Sequence, residues 1–227
     1  MKIGILQTGH LPDEMQEKLG DYSELFHRLL ASEGLDLTTY NVVDMQFPQS
    51  VHDAEGWLVT GSRHGVYDDL PFIAPLEEFI RSCFSEEVPL VGICFGHQII
   101  AQALGGQVEK FRDGWAVGRQ SYAFGGEALA LNAWHQDQVI RAPQGAMQVA
   151  THPFCENAAL LYGKRAFTVQ AHPEFDDAAL DFLIRVRGPG VVPGDRLAEA
   201  SRTLKDPVDN AKLARRIGTF FKEAQDG

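Results

Sequence analysis

One stretch of the chain restricts its fold more than any other. An apolar run with a β-branched bias, residues 88–93, breaks at Cys94, and a helix-compatible pattern then continues to the glycine pair 105–106. The simplest interpretation is a strand, a sharp turn and a helix, with a thiol at the turn. Gly92 and Gly96 stand two residues to either side of Cys94, where a Cβ would clash. The pattern predicts a nucleophile elbow with cysteine in the place of serine.

A thiol at such a turn lies near the first amides of a helix. These amides favour a thiolate, and they can also receive an oxyanion. The alternative is a buried cysteine at a strand end that packs as a small apolar side chain, which is the usual position of a free cysteine. The three cysteines, Cys83, Cys94 and Cys155, form no CxxC motif, so we do not expect a disulfide framework.

Strand-like and helix-like segments alternate before the elbow and change in character after it. Before it, the strand-like segments are residues 2–7, 35–43 and 57–60, and the helix-like segments are residues 22–30 and 73–84. After it come short strand-like segments at residues 108–111, 115–124, 139–141, 147–151 and 166–170, and helix-like segments at residues 178–186 and 209–222. Strands that alternate with helices indicate parallel βαβ units. We therefore predict an α/β fold with a flavodoxin-like, open, mostly parallel sheet, helices on both faces, and a small antiparallel excursion.

Charge and hydropathy argue against two classes of partner. The formal net charge is −11 at pH 7, so no basic surface is expected to neutralise nucleic-acid phosphates. No apolar run approaches the length of about 18 residues that a membrane span needs, and no signal-peptide pattern follows Met1. We therefore expect neither a nucleic-acid partner nor a membrane, and a cytoplasmic location.

A cysteine nucleophile needs a base within hydrogen-bonding reach, and the base needs a group that orients it. Among the eight histidines, His172 has the most informative neighbours. It follows a β-branched strand, Pro173 stiffens the turn after it, and Glu174 can swing back to accept from the imidazole. A carboxylate there fixes the tautomer and stabilises the imidazolium. The sequence thus predicts Cys94, His172 and Glu174 as one catalytic group.

Four motifs, in this order, resemble those of the class I (triad) glutamine amidotransferases. They are Gly61-Ser62, residues 92–98 (GICFGHQ), residues 134–137 (WHQD) and residues 170–174 (QAHPE). The chain is most similar to the stand-alone branch, whose members have no fused synthetase domain. That branch includes γ-glutamyl peptidases and proteins named by similarity to the amidotransferase part of GMP synthase. The resemblance implies a domain of this family over residues 1–187, with residues 188–227 as a C-terminal helical extension packed on it.

The resemblance also implies roles for the catalytic residues. Cys94 would attack the side-chain amide of glutamine, or another γ-glutamyl amide. His172 would act as base and then as acid, with Glu174 orienting it. The backbone amides of Phe95 and Gly61 would form the oxyanion hole.

Further residues would hold the glutamyl group. Gln98 and the backbone of Gln136 and Asp137 would bind its α-amino and α-carboxylate groups. Arg63, in the same loop as Gly61, would add charge complementarity to that carboxylate. We expect His135 and Asp137 to order the substrate loop. Gln136 departs from the family, which often has glycine there, and a side chain at that position would narrow the pocket.

We expect no metal and no cofactor. The histidines and carboxylates lack compact metal-ligand spacing. The loop after the first strand lacks the glycine pattern of a phosphate cradle, so the chain would have no means of its own to activate an acceptor with ATP. His97, next to the elbow glycine, is expected to be structural.

Three functions remain open from the residues and the resemblance. The first is a glutaminase that forms a γ-glutamyl thioester and releases ammonia, with a separate ammonia-accepting synthetase as its partner. The second is a γ-glutamyl peptidase or hydrolase that acts on γ-glutamyl peptides or conjugates and needs no partner. The third is a non-enzymatic regulatory protein on the same fold, which is the weakest because every triad position is filled.

Overall fold

The structure of the protein is a computed structural model that describes residues 1–225. Its strands are, in chain order, β1 (Lys2–Leu6), β2 (Asp36–Tyr40), β3 (Gly56–Val59), β4 (Leu90–Ile93), β5 (Gln107–Lys110), β6 (Ala116–Phe124), β7 (Glu127–His135), β8 (Asp137–Arg141), β9 (Met147–His152), β10 (Cys155–Tyr162) and β11 (Ala166–Val169). Its α-helices are α1 (Asp13–Leu19), α2 (Tyr22–Leu29), α3 (Ile73–Ser85), α4 (Phe95–Ala103), α5 (Asp177–Phe182), α6 (Gly194–Arg202) and α7 (Asn210–Gln225). A π-helical turn, Leu183–Arg187, continues α5.

Within these residues, nine strands form one sheet in the order β2-β1-β3-β4-β11-β10-β9-β6-β7, and β5 pairs separately with β8. The five strands from β2 to β11 run parallel, and the remaining four are antiparallel to their neighbours. In an open α/β sheet, ligands bind outside the carboxyl ends of the parallel strands. The loops after β1, β3, β4 and β11 therefore meet at the edge where a site is expected.

The side chains of β4 show how both faces of the sheet are covered. Val91 and Ile93 pack in a cluster with Phe26 of α2 and Ile217 of α7. Leu90 packs on the opposite face, in the cluster that includes α3 and α4. Burying an aliphatic side chain of this size stabilises the fold by about 1.5–3 kcal/mol. Burial on both faces explains why β4 appears in the sequence as a continuous apolar run.

The predicted fold class is confirmed, and the antiparallel part is larger than expected. The sequence interpretation missed α1, β7, β10 and α6. Strand β7 returns from β6 through the glycine pair 125–126, where both residues have positive φ, with Phe124 paired to Glu127. Four antiparallel strands extend the main sheet, and within residues 1–225 the separate excursion consists of β5 and β8.

The segment after residue 187 packs against the sheet at two separate places. Helix α6 lies on β6, with Ala200 against Gly118, and Phe221 of α7 lies against Gly56 of β3. The division between a domain over residues 1–187 and an extension over residues 188–227 stays a prediction, and the last two residues lie outside the described ones.

Candidate active site

Cys94 occupies a strained turn between β4 and α4. Its backbone has φ 51° and ψ −101°, a region that residues with a Cβ rarely adopt, and such strain concentrates at functional sites. A Cβ on Gly92 would lie 2.5 Å from the carbonyl oxygen of Gly96, and one on Gly96 would lie 2.2 Å from that of Val59. The two glycines let the helix pass this close to the sheet, as the sequence pattern indicated.

His172 is held in place by the turn that follows β11. Its backbone amide donates to the carbonyl of Asn132 at 2.8 Å, and the Asn132 side chain donates to the carbonyl of Phe175 at 2.9 Å. The ring of Phe175 stacks on the imidazole with centroids 4.2 Å apart and planes 5° from parallel. Asn132 belongs to β7, so an antiparallel strand fixes the orientation of a side chain at the end of a parallel one.

The imidazole of His172 lies between a thiol and a carboxylate. Its Nδ1 is 2.6 Å from Oε1 of Glu174, and both side chains are buried. Burial by itself would lower the pKa of His172. The charges of Cys94 and Glu174, together with side-chain hydrogen bonds to both, outweigh burial and raise that pKa to about 10. The structure therefore brings the three predicted residues together and favours a cationic imidazole between them.

Gln170 is a contact of the sulfur to which the sequence interpretation gave no role. Its side-chain amide donates to Sγ of Cys94 at 3.5 Å, and its Oε1 accepts from Gln98 at 3.2 Å. The Gln98 amide also donates to the carbonyl of Asp137 at 2.9 Å. A chain of amides therefore links the thiol to the start of β8. Gln170 belongs to the QAHPE motif, but no sequence pattern shows that its side chain points at the cysteine.

The two predicted oxyanion donors are the backbone amides of Gly61, in the loop after β3, and of Phe95, the first residue of α4. Within the described part of the chain, neither amide donates to a protein acceptor. The amide of Gly96 donates to the carbonyl of Thr60 at 3.1 Å, which ties the end of β3 to the first turn of α4. A Cβ on Gly61 would lie 2.8 Å from Cε1 of His172, so glycine keeps this loop against the imidazole.

Cys94 opens into a cleft of about 480 Å³. The predicted substrate residues Arg63, Gln98, His135, Gln136 and Asp137 all line it. Residues that were not predicted also line it, among them Lys110, Trp115, Trp134, Arg187 and Val191.

A half-exposed tyrosine, Tyr67, lies at the mouth of this cleft. The hydroxyl of Tyr67 donates to Oδ2 of Asp137 at 2.8 Å. Burial raises the pKa of Asp137, and this hydrogen bond partly offsets the rise. The side chain of Gln136 donates to the carbonyl of Phe111 at 3.3 Å, which ties it to the chain after β5.

Two further histidines lie near the site without joining the group at the thiol. Burial lowers the pKa of His97 to about 3, and its Nδ1 is 2.8 Å from the hydroxyl of Thr168. Burial and the neighbouring charge of His172 lower the pKa of His135 to about 3. Nδ1 of His135 is 3.2 Å from the carbonyl of Asp137. Both imidazoles are therefore neutral at physiological pH.

Two kinds of feature are absent from residues 1–225. No group of three or more histidine, cysteine or carboxylate side chains is arranged there to hold a metal ion. None of the helices in this part of the chain combines the length and apolar character that a membrane crossing requires.

Comparison with protein families identifies the class of protein. The model of the family described as glutamine amidotransferase class-I matches residues 19–181. This is well over half of the chain, which therefore belongs to the class I glutamine amidotransferase family. The resemblance inferred from the four motifs is confirmed.

Three curated relatives have names of different kinds. A protein named as glutamine amidotransferase-like from Schizosaccharomyces pombe is 28% identical over 97% of this chain and 98% of its own length. Gamma-glutamyl peptidase 4 of Arabidopsis thaliana is 29% identical over 91% of this chain and 89% of its own length. A glutamine-hydrolysing GMP synthase subunit from Archaeoglobus fulgidus is 27% identical over 68% of this chain and 84% of its own length.

Solved structures share the fold. A glutamine amidotransferase from Methylobacillus flagellatus superposes with a TM-score of 0.73 at 19% identity, covering 99% of this chain and 92% of the other. At this level of identity the likeness establishes the fold alone, and the names of the relatives place the chain in a family of enzymes.

Proposed function

We propose that the protein hydrolyses the γ-glutamyl amide of glutamine through a Cys94-His172-Glu174 triad. One observation carries the proposal: a buried imidazole lies between a thiol at a strained turn and a carboxylate at 2.6 Å, and the charges of both groups raise its pKa. A cationic imidazole stabilises a thiolate beside it, and the thiolate is the nucleophilic form of cysteine.

In the first half of the reaction the sulfur of Cys94 attacks the γ-carbonyl carbon. The S–C bond forms and the carbonyl π electrons move onto oxygen. When they return, the C–N bond breaks and the leaving amine takes the proton of His172. A γ-glutamyl thioester remains on the enzyme, and Glu174 keeps the imidazole in the tautomer that this transfer requires.

In the second half a water molecule replaces the amine. His172 takes a proton from the water as its oxygen attacks the thioester carbonyl. The C–S bond then breaks, which releases glutamate and returns the sulfur and the imidazole to their starting states. The amides of Gly61 and Phe95 would stabilise the oxyanion in both halves, and one such donor is typically worth about 3 kcal/mol of barrier.

The glutamyl group would lie along the side of the cleft that Gln98, Gln136 and Asp137 form. The carboxylate of Asp137 can receive the α-ammonium group, and Arg63 on the facing loop can receive the α-carboxylate. Both side chains line the same cleft as Cys94, which supports this orientation.

A γ-glutamyl peptidase is the second candidate, and the size of the cleft favours it. About 480 Å³ falls within the range of roughly 300–1,000 Å³ seen for pockets that take drug-sized ligands, and glutamine is smaller than these. The similarity to a γ-glutamyl peptidase points the same way. The acyl half of the mechanism is identical in both cases, so the two functions differ only in the leaving group.

If the product is ammonia, a separate synthetase would have to accept it. The similarity to the archaeal GMP synthase subunit supports a partner of that kind. The non-enzymatic alternative is disfavoured, because the thiol, the imidazole and the carboxylate are in contact around an open cleft.

The test compares Cys94→Ala with wild type on glutamine and on γ-glutamyl dipeptides. We expect activity to fall by at least about 10,000-fold, because the nucleophile is lost. Circular dichroism should show the same fold in both proteins. Cys83→Ala is the matched control, since Cys83 is a buried thiol on α3 and should be dispensable. Full activity of Cys94→Ala would overturn the mechanism, and a γ-glutamyl adduct on Cys94, seen by mass spectrometry after acid quenching, would support it.

A further inference from the structure

Two cavities meet at one wall of the site. Besides the main cleft, a smaller cavity of about 100 Å³ lies beside His172. Arg63, Trp134 and Arg187 line both cavities. The larger cleft reaches the thiol and the smaller one reaches the imidazole, so these three side chains border the approach to both groups.

The position of the leaving group follows from the proposed chemistry, on which this inference rests. The departing nitrogen must lie against His172, because it takes the imidazole proton. The remainder of the leaving group must then extend away from Gln98 and Asp137, where the glutamyl group is placed. Trp134 and Arg187 line both the cleft and the cavity beside His172, so a leaving group that departs from the imidazole would lie next to them.

The part of the cleft next to Trp134 and Arg187, called the wall below, also includes Trp115 and Val191. Trp115 and Trp134 lie with ring centroids 6.3 Å apart. Arg187 is the last residue of the π-helical turn, and π-helical turns occur frequently at functional sites. Val191 lies four residues further on and is 59% exposed. Arg187 and Val191 both fall after residue 181, where the match to the family model ends.

The charges around the cleft favour an anionic ligand at this wall. Arg63, Lys110 and Arg187 are the cations that line it, and Asp68 and Asp137 are the carboxylates. Both carboxylates already accept hydrogen bonds, Asp68 from the amide of Gly65 and Asp137 from Tyr67, each at 2.8 Å. Within residues 1–225, no carboxylate forms an ion pair with Arg187.

We propose that Trp115, Trp134, Arg187 and Val191 form a leaving-group subsite for an amine that carries an apolar side chain and a free carboxylate. The C-terminal residue of a γ-glutamyl dipeptide has this chemistry. The guanidinium of Arg187 binds the carboxylate, and planar guanidinium groups suit carboxylates because they donate two parallel hydrogen bonds. The indoles and Val191 cover the side chain.

The experiment measures kcat/KM for three probes: γ-glutamylphenylalanine, the same dipeptide with its carboxylate amidated, and glutamine. Arg187→Gln should lower kcat/KM for the free dipeptide about fivefold, because a charge-assisted hydrogen bond exposed to solvent is lost. The amidated dipeptide and glutamine should change less than about twofold, since neither offers a leaving-group carboxylate. Arg185→Gln is the matched control, because Arg185 lies on the same turn, is exposed, and pairs with Asp181 outside the cleft.

A second variant tests the same wall from another position. Val191→Glu places a like charge beside the substrate carboxylate and should also reduce turnover of the free dipeptide selectively. Equal effects of Arg187→Gln on the free and amidated dipeptides would overturn the subsite. Wild-type hydrolysis of glutamine with both dipeptides inert would overturn the subsite and leave the proposed function standing. A wild-type enzyme inert toward all three probes would overturn both.

Discussion

The turn at Cys94 and the wall at Arg187 border the same cleft, yet they are built in opposite ways. At the turn, Cys94 and its neighbours are buried, and a single added Cβ on Gly96 would lie 2.2 Å from a backbone oxygen. At the wall, Arg187 and Val191 are exposed. Close packing fixes the position of reacting atoms, whereas residues on an exposed surface can be substituted without disturbing the packing. In the proposed mechanism, the first region carries out the chemistry and the second selects the leaving group.

The same contrast governs the electrostatics of the two regions. Around His172, burial excludes water, so neighbouring charges raise the imidazole pKa to about 10. Around Arg187, solvent and salt screen the guanidinium, and an exposed ion pair is typically worth at most about 1 kcal/mol. Substitutions in the first region should therefore have much larger effects than those in the second.

The largest effect is expected on folding stability. It is measured by making the same substitution, glycine to alanine, at the turn and in the C-terminal segment. Gly96→Ala should lower the free energy of unfolding by about 3 kcal/mol or more, because the Cβ meets the carbonyl of Val59. Gly194→Ala, at the first residue of α6, places its Cβ in open space and should change stability by less than about 1 kcal/mol. Urea denaturation of both variants measures the difference. Equal destabilisation would break the contrast between a close-packed turn and a tolerant C-terminal segment.

The next effect is on catalysis and concerns Glu174, the carboxylate of the proposed triad. Glu174→Gln should reduce kcat by about 100- to 10,000-fold, because the imidazolium loses the anion that stabilises and orients it. The pKa of His172 should fall from about 10, since a neutral amide no longer favours the protonated ring. An NMR titration of ¹⁵N-labelled histidine follows this pKa.

Glu156→Gln provides the control for that variant. Glu156 is an exposed carboxylate on β10, so its loss should leave both kcat and the His172 titration unchanged. A Glu174→Gln enzyme with an unchanged histidine titration would show that the buried carboxylate does not govern the imidazole.

The smallest effect is expected at the mouth of the cleft. Tyr67→Phe removes the hydroxyl that donates to Asp137, and Tyr67 is half exposed, so KM should rise only about two- to threefold. The pKa of Asp137, already raised by burial, should rise further because this hydrogen bond favours the carboxylate form. The acid limb of the kcat/KM profile should then move to higher pH. A shift to lower pH would contradict the assignment of Asp137 to the glutamyl side.

The sequence was sufficient for the parts of the site that depend on local structure. A strand, a turn and a helix around Cys94 follow from the apolar run and the two glycines, and the structure contains them. His172 and Glu174 were recognised because they stand together after a strand. Gln170 was missed as a contact of the sulfur, since its side chain reaches Cys94 only through the pairing of β11 with β4.

The parts of the cleft that the sequence did not predict are formed by segments that are distant from one another in the sequence. Trp115, Trp134 and Arg187 have no spacing that relates them, and packing of β6, β7 and the π-helical turn brings them to one cleft. Residues 123–131 form the far end of the β6–β7 hairpin, and Phe124 and Glu127 border a groove beside α7.

By itself the sequence determined the α/β class, the strained cysteine turn and the His-Pro-Glu segment, because each depends on hydrophobic periodicity or on steric demands within a few residues. Tertiary structure alone decided that the imidazole is oriented by Asn132 and Phe175, that its pKa is raised, and that Arg187 faces the cleft. These properties arise from burial and from charges at short distances, and both are set only when the sheet edge is assembled.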